Sequence, residues 1–198
     1  MKPILFNTEM VRAILEGRKT VTRRVVKLPS NIKSQRDGFY TLYAEGTCYE
    51  NQHIEELEQY LRQPYKVGDV LYVRETWNEV TNGYVYKATN EPVMVNGYKI
   101  SLRWRPSIHM PKAAARIFLK VTDVRVERLR DITDPEAEGI KVYPTLNDPE
   151  ETYYKKRVAF KELWDSTIRK DQYKYYCWDA NPYVWVIEFE RVEGKCSD

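Results

Sequence analysis

One stretch constrains the fold more than any other: AARIFLKVTDVRVERL, residues 114–129. Ala115, Ile117, Leu119 and Val121 fall on one side of an extended chain, and Arg116, Phe118, Lys120 and Thr122 on the other. A period of two is the signature of a strand. A strand of this length needs neighbours, and the sequence offers several. YVWVIEFERV (183–192) reads as a closing strand, TVTRRVV (20–26) is rich in β-branched residues, and PILF (3–6) is a short strand. KVGDVLYVRETW (66–77) turns at Gly68 into the apolar run Val70–Val73, and NEVTNGYVYKAT (78–89) reads as a hairpin turning at Asn82-Gly83.

Helices are fewer. Asn7 or Thr8 caps a segment whose apolar stripe is Met10, Val11, Ile14 and Leu15, and Gly17 stops it. Arg18 and Lys19 then suit the negative end of that helix. IEELEQYLRQ (54–63) reads as a short helix ended by Pro64. DITDPEAEGI (131–140) reads as a capped single-turn helix, with Thr133 or Asp134 as cap and Gly139 as stop. Residues 149–168 read as an amphipathic helix with Val158, Phe160, Leu163 and Trp164 toward the core, while 90–112 read as loop. Strands do not alternate with helices in βαβ fashion. The pattern predicts an α+β fold, a small and mostly antiparallel β-barrel with helices plugging its ends. At 198 residues the chain is predicted to be one domain, 1–198.

Charge is uneven. Residues 1–40 hold nine Lys and Arg against three acids, a local +6, and the remaining 158 residues sum to −3. A local field of that sign recruits anions even on a nearly neutral chain. Cys48, Cys177 and Cys196 are scattered and His53 and His109 isolated, so neither a zinc site nor a disulfide framework is expected. No cofactor is expected either: there is no G-x-G-x-x-G, P-loop, H-E-x-x-H or G-x-S-x-G. The apolar run near the N-terminus is too short for a signal peptide, and no stretch approaches a membrane span. The chain is expected to be soluble and cytoplasmic, with no membrane partner.

Four places carry candidate chemistry. EGRKTVTRR (16–24) groups Arg18, Lys19, Thr20, Thr22, Arg23 and Arg24, side chains that hold phosphate by fork, point charge or hydroxyl. The same residues fit a solvated helix end and a protected strand edge. VRETW (73–77) puts Arg74, Glu75 and Trp77 at a strand end, as a surface ion pair or a pocket mouth. PEAEGI (135–140) offers Glu138 as a proton-moving carboxylate or a solvated acid. RWRPSIHMP and YKYYCWDANPY interleave cations with aromatics, Arg103, Trp104 and Arg105 among them, in a pattern that suits bases and phosphates or a core.

Taken in order, PILFNTEMVRAILEGRKTVTRRV, YKVGDVLYVRETW, LKVTDVRVERLRDIT, AEGI, FKELWDS and NPYVWVIEFERV resemble the ASCH domain family, a branch of the PUA-like superfamily. The form is similar to the longer version carried by phages and prophages, with 28–64 and 90–110 as insertions. The resemblance implies a PUA-like β-barrel with flanking helices, a cleft lined by the GRKT corner, and RNA or a modified nucleoside or nucleotide as partner. Some small members are amidohydrolases that cleave N4-acetylcytidine with a Lys, a Thr and a Glu, and others are reported as ribonucleases. The matching positions are Lys19, Thr22 and Glu138. Two functions follow as expectations: an RNA- or nucleotide-binding module with a basic cleft, or a hydrolase using those three residues. A cleft that binds a host protein is a third. Residues 19 and 22 are three apart, so a shared site requires Lys19 to sit in the turn before the strand begins.

Overall fold

A computed structural model of the chain describes residues 1–35, 39–54, 56–81, 83–89, 93–95, 98–142 and 148–193. The strands are β1 (Lys2–Leu5), β2 (Val21–Val25), β3 (Ile32–Ser34), β4 (Tyr40–Ala44), β5 (Thr47–Gln52), β6 (Val70–Arg74), β7 (Trp77–Val80), β8 (Gly83–Tyr86), β9 (Val93–Val95), β10 (Tyr98–Ile100), β11 (Phe118–Arg128) and β12 (Tyr183–Val192). The helices are α1 (Thr8–Leu15), α2 (Pro149–Thr167) and α3 (Tyr173–Tyr176).

The long alternating stretch becomes strand only from Phe118, as β11, because Lys112–Ala114 form a 3-10 turn; β11 is the middle of a five-stranded sheet ordered β1-β6-β11-β12-β2. All pairs are antiparallel except β1 with β6. A bulge between Val121 and Asp123 interrupts the β11–β12 ladder. A bulge inserts an unpaired residue and bends its strand. Here it also switches parity: Leu119 and Val121 reach the main core before it, Val124 and Val126 after it. The simple alternation of the sequence therefore breaks at Thr122 because the sheet curls there.

Two layers of apolar side chains hold the sheet. One face carries Ile4, Leu71, Val73, Trp185, Ile187 and Phe189, in one cluster with Phe6 and with Val11 and Ile14 of α1. Its other face packs Val21, Val184 and Val186 against Phe160 and Trp164 of α2 and against Trp178. Asn7 caps α1, one of the two caps the sequence offered, and accepts from the Met10 amide at 2.9 Å. Asp148 caps α2 and accepts from the Glu151 amide at 2.9 Å.

The architecture is α+β with mostly antiparallel sheets. Among the described residues, ladder bonds leave the main sheet open between its edges, β1 and β2, and close no barrel. Arg24 Nη2 of β2 donates to the Leu5 carbonyl of β1 at 3.1 Å.

Several expectations are corrected. Residues 54–63 form one 3-10 turn, Glu58–Tyr60, rather than a helix. Ile54, Leu57 and Leu61 are pulled into the main core, and so short a segment has little helical stability of its own to oppose that. The β7–β8 hairpin closes at Val80↔Gly83, one residue before the expected Asn82-Gly83 turn, and Asn82 lies outside the described residues. The 90–112 stretch contains the β9–β10 ribbon, where a loop was expected. Cys196 also lies outside the described residues.

The segment 28–64 is not a detachable appendage. Its sheet, β3-β4-β5, sends Ile32, Tyr40 and Leu42 into the main core beside Ile54 and Leu57. Leu57→Ala is therefore expected to destabilise the whole protein by about 2–5 kcal/mol. Urea unfolding should report one shifted transition. An unchanged midpoint would show that this segment unfolds on its own.

Candidate functional site

The corner between α1 and β2 is built by backbone geometry first. Gly17 is left-handed (φ 75°) and lets the chain leave α1, with the Arg18 amide bonded back to the Ala13 carbonyl at 2.8 Å. The strand does not begin until Val21, so Lys19 sits in the turn. It pairs there with Glu138 in an isolated antiparallel bridge. The Thr20 and Val21 amides both donate to the Ala137 carbonyl, at 2.9 and 3.0 Å.

Glu138 is delivered by a tight turn, where a single-turn helix was expected. Asp134 accepts from the Glu136 amide at 2.9 Å, which makes it the cap, and the Gly139 amide donates to the Glu136 carbonyl at 2.7 Å. Gly139 has φ 86°, and a Cβ there would lie 2.7 Å from the Ala13 Cβ and 3.2 Å from the Lys19 Cβ. Only glycine lets this turn rest against α1.

The two chain segments bring their charged ends together out of water. Lys19 Nζ donates to Glu138 Oε2 at 2.7 Å, to the Val21 carbonyl at 2.7 Å and to the Glu138 carbonyl at 3.0 Å. Its three protons are thus all placed. The Lys19 side chain is 0% exposed and that of Glu138 5%. Arg23 Nη1 donates to Glu138 Oε1 at 2.9 Å, and its guanidinium lies 3.8 Å from Glu127. Burial pushes the Lys19 ammonium below the ordinary lysine range; Glu138 opposes this, and Arg24 and Arg23 add to it. The Arg23 Nε is buried without an acceptor among the described residues.

Thr22 is buried on β2, opposite Ile187. It lines a cleft of about 40 Å³ with Glu138, Arg24, Met10 of α1, and Phe160 and Trp164 of α2. A water needs roughly 10–15 Å³ of such space. The cleft therefore takes a few waters or a group of acetyl size, and anything larger stays at its mouth unless α1 and α2 part.

The remaining corner residues are less free than their charge suggests. Arg18 is held by Glu16 at 2.7 Å and by the Gly139 carbonyl at 2.6 Å. Thr20 is exposed, and its amide and carbonyl are used in pairing. Arg24 lies 5.8 Å from the centre of the Phe6 ring and has no carboxylate partner among the described residues.

The other candidates form a second cluster. Trp77 and Arg105 pair as an isolated bridge, and the Arg105 guanidinium sits 5.1 Å over the Trp77 ring. Asn78 donates to the Arg103 carbonyl at 3.2 Å, Arg103 itself is exposed, and Trp104 is half-buried. Arg74 donates to the Ile108 carbonyl, and its Nε has no partner among the described residues. Glu75 is buried and held bidentately by Arg116, at 2.9 and 3.0 Å. Arg116 in turn lies 4.0 Å over the Tyr86 ring. Trp77 packs with Met110, Ala114, Ala115 and Phe118. The structure thus brings the VRETW and RWR motifs together, which sequence order did not show. It buries Glu75 and Trp77 in packing. Arg116 went unrecognised as a partner because it looked like one more outward residue of a long strand.

Among the described residues, no group of three or more His, Cys, Asp and Glu is placed to hold a metal, and no helix is long and apolar enough to cross a membrane. Compared with family models, curated proteins and solved structures, the chain matches none of them.

Two outcomes follow from this geometry. Gly139→Ala is expected to lower stability by about 1–3 kcal/mol, since it adds both strain and a clash under Glu138. Thermal and urea unfolding measure it, and a neutral effect would mean the turn does not rest on α1. Arg116→Met is expected to cost about 3–5 kcal/mol, because it strands the buried Glu75 carboxylate. Glu75→Gln is expected to cost less, since Arg116 keeps water and Tyr86. Equal losses would contradict the asymmetry in burial.

Proposed function

We propose that this chain is an ASCH-like hydrolase that removes a small acyl group from the amine of a modified nucleoside, with Thr22 as nucleophile and the Lys19–Glu138 pair as its proton relay. The observation that carries the reading is the 2.7 Å contact between Lys19 and Glu138, in a corner whose cleft Thr22 and Glu138 share. The resemblance is supported by the mostly antiparallel sheet with its bulge in β11, and by the Arg24 side chain that reaches from β2 to the Leu5 carbonyl of β1. The cleft volume suits an acyl group rather than a whole base, so the nucleoside would lie at the mouth.

The chemistry is acyl transfer to a hydroxyl and then to water. The Thr22 oxygen adds to the acyl carbon, and its proton passes through the Lys19–Glu138 pair to the leaving amine nitrogen. The C–N bond breaks and an acyl-threonine ester remains. Water then cleaves the ester, giving a carboxylic acid and the free hydroxyl. Lys19 is suited to the relay because burial lowers its proton affinity, so a neutral amine is more accessible than on a solvated lysine. Arg23 holds the other carboxylate oxygen and fixes the direction in which Glu138 works.

The alternative reading, an anion grip for RNA at the same corner, fits less well. Lys19, Arg23 and Arg18 are each committed to a carboxylate, which leaves Arg24 as the cation there without one among the described residues. A corner so neutralised is a weak phosphate floor.

The test is release of acetate from N4-acetylcytidine by the pure protein. Thr22→Val should lower kcat/KM by at least about 1,000-fold with the fold intact. Deprotonation of the Lys19–Glu138 pair should give a rate that rises with pH to an apparent pKa below the roughly 10.4 of free lysine. Lys19→Arg, which stays charged, should lose that limb. Turnover that survives Thr22→Val, or a wild type inert toward acylated nucleosides, would overturn the reading.

A further inference from the structure

A second cavity, about 560 Å³, lies elsewhere, at the far end of β2 where the β3-β4-β5 sheet meets α3. That volume is within the range of small-molecule sites, roughly 300–1,000 Å³. Its floor is apolar and aromatic, with Ile54, Tyr40 and Tyr183, and its rim carries Lys27, Arg128 and Tyr175. Among the described residues that line it there is no Asp or Glu.

Its two cations differ from those of the corner. Lys27 is exposed and has no ion-pair partner among the described residues. Arg128 lies over Tyr183, 3.8 Å from the ring centre, and among the described residues spends only Nη1, on the Asn181 carbonyl at 3.1 Å. Tyr183 also meets Tyr40, with centroids 6.1 Å apart. Tyr175 stands 63% exposed at the opening, its ring 6.3 Å from that of Tyr176. A guanidinium already stacked on one ring presents its other face to a second planar group, as arginines do to nucleobases. An apolar ligand would leave both cations desolvated and unpaired. A bare anion would make no use of the rings.

We propose that this cavity binds a nucleotide unit: a nucleobase stacked among Arg128, Tyr183 and Tyr175, with its phosphate on Lys27. The site stands apart from the acyl chemistry and does not depend on it. Val26, on the cavity wall, is four residues along the chain from Thr22, about 13 Å at strand rise. One oligonucleotide can therefore occupy the cavity and reach the cleft. The unit is either a free nucleotide or one residue of an RNA strand.

The test is calorimetric titration of the full chain with nucleoside monophosphates, and separately with the matching nucleosides, inorganic phosphate and a short single-stranded oligoribonucleotide. The monophosphate should bind at least tenfold more tightly than the nucleoside or phosphate alone. Lys27→Glu and Tyr175→Ala, both surface changes whose folding circular dichroism can check, should each weaken it at least tenfold. Thr22→Val should leave this affinity unchanged. Tighter binding of the oligoribonucleotide assigns the cavity to a strand, and equal binding assigns it to the free nucleotide; both support the site. No measurable binding of the monophosphate would overturn it, and so would affinity indifferent to Lys27→Glu and Tyr175→Ala. Loss of binding in Thr22→Val alone would also overturn it, by moving the nucleotide to the cleft. Binding that meets these criteria in a protein inert toward N4-acetylcytidine would keep this site while removing the hydrolase.

Discussion

The buried contact between Lys19 and Glu138 is the constraint on which the site depends. It joins the end of α1 to the turn at 135–140, segments 119 residues apart in sequence. At an effective dielectric near 20, two unit charges at about 4 Å attract by about 4 kcal/mol. Taking each ion out of water costs several kcal/mol, so the pair adds little net stability. Its effect is positional. Losing either partner leaves a buried charge, so the two segments hold each other in one register. Gly17 and Gly139 supply the left-handed backbone that lets them approach, and the Ala137 carbonyl fastens the start of β2 to the same turn.

The contact also reorganises the charge. The N-terminal forty residues carry +6, which suggests an open positive surface. Folding sets part of it against acids from outside that segment, Lys19 and Arg23 on Glu138 and Lys2 on Asp69, while Arg18 and Arg12 pair with Glu16 and Glu9, which the +6 already counts. The corner becomes a compact relay of paired groups beside a hydroxyl, while cations without carboxylate partners appear at the other end of β2. One strand thereby carries two different environments, a small neutralised cleft and a larger aromatic cavity.

Much of this was legible in the chain because it is written locally. Asn7 as cap, Gly17 as stop and the strands β1, β2, β6, β11 and β12 follow from propensity and period. So did the condition that Lys19 precede the strand, a consequence of three-residue spacing on a two-residue pleat. What was hidden depends on partners distant in sequence. The bulge in β11 is set by how the sheet curls against β12, although the three-residue step from Val121 to Val124 is its trace. The 54–63 segment has helical spacing, but burial of Ile54 and Leu57 decides its shape. Glu75 and Trp77 looked like exposed motif residues, and only the return of Arg105 and Arg116 shows why they are inside. The cavity around Tyr183 draws on five separate stretches, so no single motif announces it.

The central claim is that Lys19 and Glu138 meet, out of water, and hold the corner together. A double-mutant cycle on urea unfolding tests it most directly, with Lys19→Met, Glu138→Leu and the pair. Each single change should cost several kcal/mol, and the double change much less than their sum. The coupling should be at least about 1.5 kcal/mol, within the range for contacting residues. Costs that add to within about 0.5 kcal/mol would mean that the two groups do not meet in solution, and would contradict the account.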